Sequence, residues 1–189
     1  MVNKIPTELD NPIDVFLYNQ IDGHLDFYKN IGFTPNRLTT LSLIFGLIGV
    51  YYLYNDNYLE AALFFFISYY FDCADGKFAR KYGMVTKFGD MYDHFTDFIK
   101  VILLFYVMYK KSPTKFYKVF AFSIVLAGLC VLYMNCQEKL YGKSDESGFL
   151  NLFNINLENC EEKMKYLKYF GAGTLMTYFS ICILFWKYI

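Results

Sequence analysis

Four aspartates between two strongly apolar stretches are the residues of this chain whose types and spacing most clearly suggest chemistry. Asp72 and Asp75 are three positions apart and therefore share one face of a helix. Gly89, Asp93 and Asp97 follow at steps of four, so they stack along one face of the next helix. If the two helices pack against each other, their ends bring the four carboxylates together.

Carboxylates placed beside apolar segments need a counter-charge. An unpaired charge at membrane depth costs at least about 2.5–3.5 kcal/mol, and several carboxylates also repel one another. Oxygen ligands favour Mg²⁺ or Mn²⁺. We therefore predict that Asp72, Asp75, Asp93 and Asp97 hold divalent metal, which in turn suits a pyrophosphate substrate.

The residues around the aspartates suit a bound nucleotide or phosphate. Gly76 and Gly89 lack a Cβ, so a flat base or a phosphate can approach the backbone. Ala79 keeps the helix face shallow. Arg80 offers a planar fork either to a phosphate or to the acids, in a salt bridge that positions them. Thr86 has two possible roles, a hydroxyl for a phosphate or a cap for the following helix.

Residues 72–97 resemble the motif of the CDP-alcohol phosphotransferase family, D-x-x-D-G-x-x-A-R-x8-G-x3-D-x3-D, at all eight fixed positions. The stretch TPNRLTTLSLIFGL resembles the family's first membrane span more loosely, through its PNxxT pattern. The resemblance implies that an alcohol hydroxyl attacks a phosphorus of a CDP-linked substrate and that CMP leaves. It also implies a bundle of about six spanning helices, usually as a homodimer.

The resemblance assigns roles to individual residues. Asp72, Asp75 and Asp93 would hold the metals, with two ions expected, and Asp97 would touch metal and accept the hydroxyl proton. Thr86 would lie near the nucleotide. Asn36 has two open interpretations, because it could reach the nucleotide or cap the first span.

Two features of the sequence bear on the acceptor alcohol, and they point to different substrates. TKFGDMYDHFTD resembles the stretch T-R-F-G-x-M-x-D-x-x-T-D of phosphatidylinositol synthases, which favours an inositol-like acceptor and CDP-diacylglycerol as donor. An arginine commonly follows the last aspartate there, whereas Phe98 follows it here; Lys100 could supply that charge, snorkel, or pair with Asp97. His94 creates a D-H-x-x-D pattern that resembles choline and ethanolamine phosphotransferases, which use a CDP-aminoalcohol and diacylglycerol. That histidine is either a base near neutral pH or an interfacial side chain.

Five apolar stretches predict an all-α, polytopic membrane bundle, one short of the family pattern. They cover residues 38–54, 58–74, 95–109, 115–135 and 167–188. A spanning helix needs about 20 largely apolar residues. The first, fourth and fifth stretches meet this alone, and the second and third meet it only by continuing into the aspartate-rich stretch.

The N-terminal stretch NPIDVFLYNQIDGHLDFYKN predicts an amphipathic helix, with Asn11 as its cap and Pro12 at its first position. Its apolar residues recur at helical spacing on one face, with acids and amides on the other. We interpret it as an interfacial helix on the membrane; the alternative is a soluble helix packed on a core. The expected organisation is one domain over 1–189, with an interfacial segment at 1–35 and a transmembrane bundle at 36–189.

Charge and cysteine content bear on nucleic-acid binding, on orientation in the membrane and on the state of the thiols. The formal net charge is zero, so no basic field indicates a nucleic-acid partner. With the N-terminus inside, 12 of the 18 Lys and Arg residues fall in inside segments and five outside, which predicts an active site on the cytoplasmic side. The five cysteines include no CxxC pair, so we predict reduced thiols.

The polar segment 136–166 is interpreted as a partial insertion or a cap over the site.

A cation transporter or a catalytically inactive scaffold could also gather carboxylates in a helical bundle. Neither alternative explains the spacing of Gly76, Ala79, Arg80 and Gly89. The motif therefore favours an enzyme.

Overall fold

A computed structural model describes residues 5–141 and 158–189 of the 189-residue chain. The regular secondary structure of these residues is helical, as predicted. The α-helices are α1 (Pro12–Asn30), α2 (Pro35–Tyr54), α3 (Tyr58–Lys81), α4 (Lys87–Lys111), α5 (Pro113–Tyr141), α6 (Cys160–Leu167) and α7 (Ala172–Leu184).

Side-chain caps fix where three of these helices begin. Asn11 accepts a hydrogen bond from the Ile13 N–H at 3.0 Å and Pro12 opens α1, so both predictions for this helix start are confirmed. Thr34 caps α2, which excludes the interpretation of Asn36 as the cap. Thr86 caps α4 by accepting from the Gly89 N–H at 3.0 Å, as one of its two predicted roles required.

The lengths of the helices agree with the predicted all-α membrane bundle. Among the described residues, three stretches are long and apolar enough to cross a membrane: Pro35–Tyr54, Pro113–Tyr141 and Cys160–Leu184. They coincide with the first, fourth and fifth predicted stretches. The helices α3 and α4 run for 24 and 25 residues because both continue through the aspartate-rich stretch, as predicted. Five spans remain a prediction.

Small residues on α2 allow α2 and α3 to pack closely. Thr39, Ser42, Gly46 and Gly49 are all buried on α2, at spacings of three or four. A Cβ at Gly49 would lie 3.0 Å from the backbone oxygen of Ala61 on α3. Helix α4 also packs on α2, so α2 supports both aspartate-bearing helices.

The amphipathic helix α1 packs on α3 and α7. Leu17, Ile21 and Leu25 form its buried apolar stripe, while Phe16 on the opposite side is 60% exposed. Placing all acids on the other face was wrong, because Asp14 is also buried and accepts a hydrogen bond from the Tyr69 hydroxyl at 2.5 Å. Whether α1 lies on a membrane surface stays a prediction.

The last apolar stretch is not one regular helix. A 3-10 turn and the extended residue Gly171 separate α6 from α7. A Cβ at Gly171 would lie 3.0 Å from Asn11 Cβ and 3.1 Å from the Tyr133 ring, so the chain passes very close to both. The Asn11 amide donates to the Lys168 carbonyl at 2.7 Å and so satisfies a group that the helix break releases.

The prediction that all five cysteines are reduced was wrong for two of them. Cys136, near the end of α5, forms a disulfide with Cys160 at the start of α6, with 5.2 Å between their Cα atoms. The cause is tertiary: Tyr133 and Met164 are buried in one cluster that holds α5 and α6 together. Cys73, Cys130 and Cys182 are free and buried, as predicted. The predicted partial insertion or cap in 136–166 falls mainly on residues 142–157, outside the described residues.

Candidate active site

Three of the four predicted metal ligands meet between α3 and α4, which both pack on α2. One carboxylate oxygen from each of Asp72, Asp93 and Asp97 lies within 4.8 Å of the other two. Asp93 Oδ1 is buried and has no hydrogen-bond partner among the described residues. A buried carboxylate oxygen without a donor is unfavourable unless a cation or water satisfies it. The donor set is all oxygen, so the residues fit a hard divalent cation.

The fourth predicted ligand, Asp75, does not belong to that group of three. It is 6% exposed, and its Oδ2 accepts a hydrogen bond from the Thr39 hydroxyl at 2.5 Å. Thr39 is itself 2% exposed, on the face of α2 that packs against α3. The hydroxyl therefore fixes the orientation of this carboxylate.

Lys100 pairs with the aspartates inside the bundle, which was one of its three predicted roles. It is 4% exposed, and its Nζ lies 2.6 Å from Asp97 Oδ1 and 3.2 Å from Asp72 Oδ1. The same Nζ donates to Ser42 Oγ at 2.7 Å. The residue that follows Asp97, Phe98, is 64% exposed and faces away from these groups.

Arg80 lies over Gly76 on α3. A Cβ at Gly76 would be 3.2 Å from an Arg80 terminal nitrogen, so the guanidinium occupies the space that the sequence suggested for a base or phosphate. Arg80 Nε is buried without a hydrogen-bond partner, and no described carboxylate forms an ion pair with this residue. The described residues therefore do not form the salt bridge that was one of the two predicted roles of Arg80. The guanidinium donors of Arg80 are available to an anion.

Asn36, Thr86 and Gly89 form a second small group beside the carboxylates. A Cβ at Gly89 would lie 3.1 Å from Thr86 Oγ1 and 3.2 Å from Asn36 Oδ1. The start of α2 and the start of α4 thus meet at Gly89, with a side-chain amide and a hydroxyl at the contact. The structure brings these three predicted residues together.

The two remaining predicted residues lie at the edge of the site. His94 Nδ1 is 3.6 Å from Asp93 Oδ2 and the side chain is 36% exposed, so this histidine faces the carboxylates rather than only lipid or water. Ala79 is half-buried on α3.

Two further residues contact the site, Thr39 and Ser42, and the sequence did not predict a role for either. Thr39 donates to Asp75, and Ser42 links Lys100 to Asp72, to which its hydroxyl donates at 3.4 Å. Both are hydroxyl residues within an apolar stretch, and their spacing of three places them on one helix face. That spacing could have identified both residues from the sequence. Thr39 is also the threonine of the PNxxT pattern.

Comparison with known proteins agrees with the motif. The family model for CDP-alcohol phosphatidyltransferase matches residues 33–188, a region that contains every residue discussed in this section. An archaetidylinositol phosphate synthase of Pyrococcus horikoshii is 30% identical over 97 residues, which are 51% of this chain and 47% of the relative. The match therefore spans about half the length of that relative. No solved structure matches the chain at a significant level.

The chain belongs to the CDP-alcohol phosphatidyltransferase family. The apolar helices and the family together make it an integral membrane protein. The resemblance to inositol-type synthases is consistent with the archaetidylinositol phosphate synthase among its relatives.

Proposed function

We propose that this protein is a metal-dependent CDP-alcohol phosphatidyltransferase of phospholipid biosynthesis. It would transfer a phosphatidyl group from CDP-diacylglycerol to a small alcohol and release CMP. The observation that carries the proposal is the group of Asp72, Asp93 and Asp97, whose oxygens lie within 4.8 Å of one another. Arg80, on the same helix as Asp72, has donors without protein partners. Such a site suits a pyrophosphate that is bound to a divalent cation.

Individual residues take the following roles. Asp72, Asp93 and Asp97 hold Mg²⁺ or Mn²⁺ together with Asp75, and two ions are the expected number for a clamp of this kind. Bound divalent metal neutralises the pyrophosphate and stabilises charge on the entering and leaving oxygens. Asp97 accepts the proton of the attacking hydroxyl, since a fixed carboxylate is an effective base when its position is right.

The nucleotide end of the substrate fits the group around Gly89. The amide of Asn36 and the hydroxyl of Thr86 offer hydrogen bonds there, and Gly76, Ala79 and Gly89 keep the surface shallow. Arg80 binds a phosphate oxygen through its free donors. These assignments follow the motif, and the contacts around Gly89 support those of Asn36 and Thr86.

An inositol-like acceptor is favoured by the relative from Pyrococcus horikoshii, whose name describes an archaetidylinositol phosphate as its product. A phosphorylated acceptor requires a cation that binds its phosphate group. Lys100 does not supply it, because its ammonium donates to Ser42 and Asp72 and forms an ion pair with Asp97. We therefore favour myo-inositol over an inositol monophosphate for this chain.

A choline or ethanolamine phosphotransferase is the second candidate. The observation that favours it is His94, whose Nδ1 lies 3.6 Å from Asp93 Oδ2 beside the carboxylates. A histidine in that position could act as a base near neutral pH. Its substrates would be a CDP-aminoalcohol and diacylglycerol.

The setting of the enzyme is also part of the proposal. The excess of Lys and Arg in segments 1–37, 77–87 and 139–168 supports a cytoplasmic active site. One face of α4 carries Phe88, Met91, Phe95 and Phe98, all at least 60% exposed, which suits contact with lipid or with a second copy in a homodimer. The chain would function as a single domain with residues 1–35 at the membrane surface.

The test is CMP formation by purified, detergent-solubilised protein with Mn²⁺ or Mg²⁺. CDP-diacylglycerol is offered with myo-inositol, an inositol monophosphate, serine or glycerol 3-phosphate, and CDP-choline or CDP-ethanolamine is offered with diacylglycerol. We expect CMP with CDP-diacylglycerol and myo-inositol, and none from a folded Asp97→Asn variant. CMP only with the aminoalcohol pairs supports the second candidate. A folded, metal-binding protein that releases no CMP with any pair refutes both and favours a transporter or scaffold.

A further inference from the structure

We propose that the ammonium group of Lys100 takes the place of one divalent ion in the substrate-free site, so that the protein alone binds one ion rather than two. This inference rests on the proposed function, since it concerns the cations of the same carboxylates. It predicts a metal requirement that differs from the two-ion expectation for the family motif.

The position of the ammonium is that of a bridging cation. Lys100 Nζ is 2.6 Å from Asp97 Oδ1 and 3.2 Å from Asp72 Oδ1, so it touches two of the three carboxylates of the group. The same Nζ also donates to Ser42 Oγ at 2.7 Å. A lysine that merely snorkels would direct its nitrogen to water, whereas this residue is 4% exposed.

The surroundings of Lys100 are shaped to hold it in this position. A Cβ at Gly46 would lie 2.6 Å from Lys100 Cδ and 2.8 Å from its Cγ, so glycine at that position leaves the space through which the aliphatic stem passes. The serine that accepts from this ammonium is also fixed, because Ser68 Oγ donates to the Ser42 carbonyl at 2.7 Å. Three elements, α2, α3 and α4, thus contribute to this lysine site.

Charge balance leads to the same number of ions. Asp72, Asp75, Asp93 and Asp97 place four carboxylates on α3 and α4, and Lys100 supplies one positive charge among them. One divalent ion then leaves a single negative charge on the group. A second ion in the free protein would create a net positive site, and it becomes favourable only when the pyrophosphate arrives.

A matched control exists on α3. Lys77 is also buried, at 3% exposure, and pairs with Asp22 at 2.7 Å while donating to the Tyr18 carbonyl at 2.8 Å. It contacts none of Asp72, Asp93 and Asp97 within ion-pair distance. Lys77→Met therefore removes a buried lysine without removing a cation from the carboxylate group.

The experiment counts Mn²⁺ ions bound per chain by electron paramagnetic resonance titration of the detergent-solubilised, substrate-free protein. We expect one ion for the wild type, two for Lys100→Met and one for Lys77→Met. Two ions in the wild type, or an equal number in the wild type and Lys100→Met, overturn the proposal. No binding by any of the proteins refutes the metal site itself, and with it the proposed function.

Thermal unfolding gives a second readout that does not depend on activity. We expect Lys100→Met to unfold at a lower temperature than the wild type in EDTA and to gain about 5–10 °C more than the wild type from Mn²⁺ at about a hundred times its Kd. Lys77→Met should be destabilised without this additional recovery. A Lys100→Met variant that does not fold even with Mn²⁺ also overturns the proposal, because metal then fails to replace the ammonium. Gly46→Ala, which displaces the lysine stem, should likewise make the unfolding temperature more dependent on Mn²⁺.

Discussion

The hydrogen bond between Thr39 and Asp75 gives the sharpest prediction about how the carboxylates are held. Thr39→Val keeps the shape of the side chain and removes the hydroxyl that donates to Asp75 Oδ2 at 2.5 Å. Both residues are buried, at 2% and 6% exposure, so water cannot easily take the place of the lost donor. The carboxylate then loses the hydrogen bond that fixes its orientation.

The expected size follows from the chemistry of this bond. A hydrogen bond to a charged group is worth about 1.5–3 kcal/mol, which corresponds to roughly 10–150-fold in an equilibrium constant. Partners that orient metal ligands typically change metal affinity by about 10–100-fold. We therefore expect Thr39→Val to weaken Mn²⁺ binding by about 10–100-fold.

Isothermal titration of the purified protein with Mn²⁺ measures this effect directly. The control is Thr40→Val, because the neighbouring Thr40 is exposed and bonds to the Asn36 carbonyl and the Tyr92 hydroxyl instead. Its Mn²⁺ affinity should match the wild type. In an Asp75→Asn background, Thr39→Val should have little further effect, since the two changes remove one interaction. Unchanged Mn²⁺ affinity in Thr39→Val would refute the argument that this hydroxyl positions a metal ligand.

Further predictions concern stability, substrate binding and the contact at Gly89. Burial raises the pKa of Asp14 from 3.8 to about 7, despite the hydrogen bond from Tyr69, so the folded protein binds this proton more tightly than the unfolded chain does. Stability should therefore fall by about 3 kcal/mol as pH rises from 4 to 7, and Asp14→Asn should flatten the unfolding temperature over that range; an unchanged pH profile would contradict the burial argument. Arg80→Lys should raise the KM for the CDP substrate on the order of tenfold with no change in unfolding temperature, because no described carboxylate pairs with Arg80 and its Nε has no hydrogen-bond partner among the described residues. A large loss of stability would indicate a structural role instead. Gly89→Val should crowd Thr86 Oγ1 and, by disturbing this helix cap, lower the free energy of unfolding by about 1 kcal/mol. The variant should also lose most CMP release. Normal activity would exclude a bound nucleotide at that contact.

Much of the fold and the core of the site could be predicted from the sequence because they depend on local periodicity. The extension of α3 and α4 through the aspartate-rich stretch follows from spacings of three and four, and these spacings also place Asp93 and Asp97 on one face of α4. The caps Asn11 and Thr86 likewise follow from local hydrogen bonding.

The features that could not be predicted depend on contacts between distant segments. The break at Gly171 exists because Asn11 and Tyr133 approach it from elsewhere in the chain. The Cys136–Cys160 disulfide depends on how α5 and α6 pack, which spacing does not reveal. The three partners of Lys100 lie on two other helices and on its own, so the sequence left its role open.

The central claim is that the carboxylates at the junction of α3 and α4 perform metal-dependent transfer from a CDP-linked lipid. The most direct measurement is CMP release from CDP-diacylglycerol in the presence of myo-inositol, compared with and without EDTA, by the wild type and by Asp93→Asn. We predict release by the wild type that stops in EDTA and returns with Mn²⁺, and no release by the folded variant, because Asp93 Oδ1 is a buried oxygen without a hydrogen-bond donor among the described residues. Release that persists in EDTA, or in Asp93→Asn at the wild-type rate, would contradict the account.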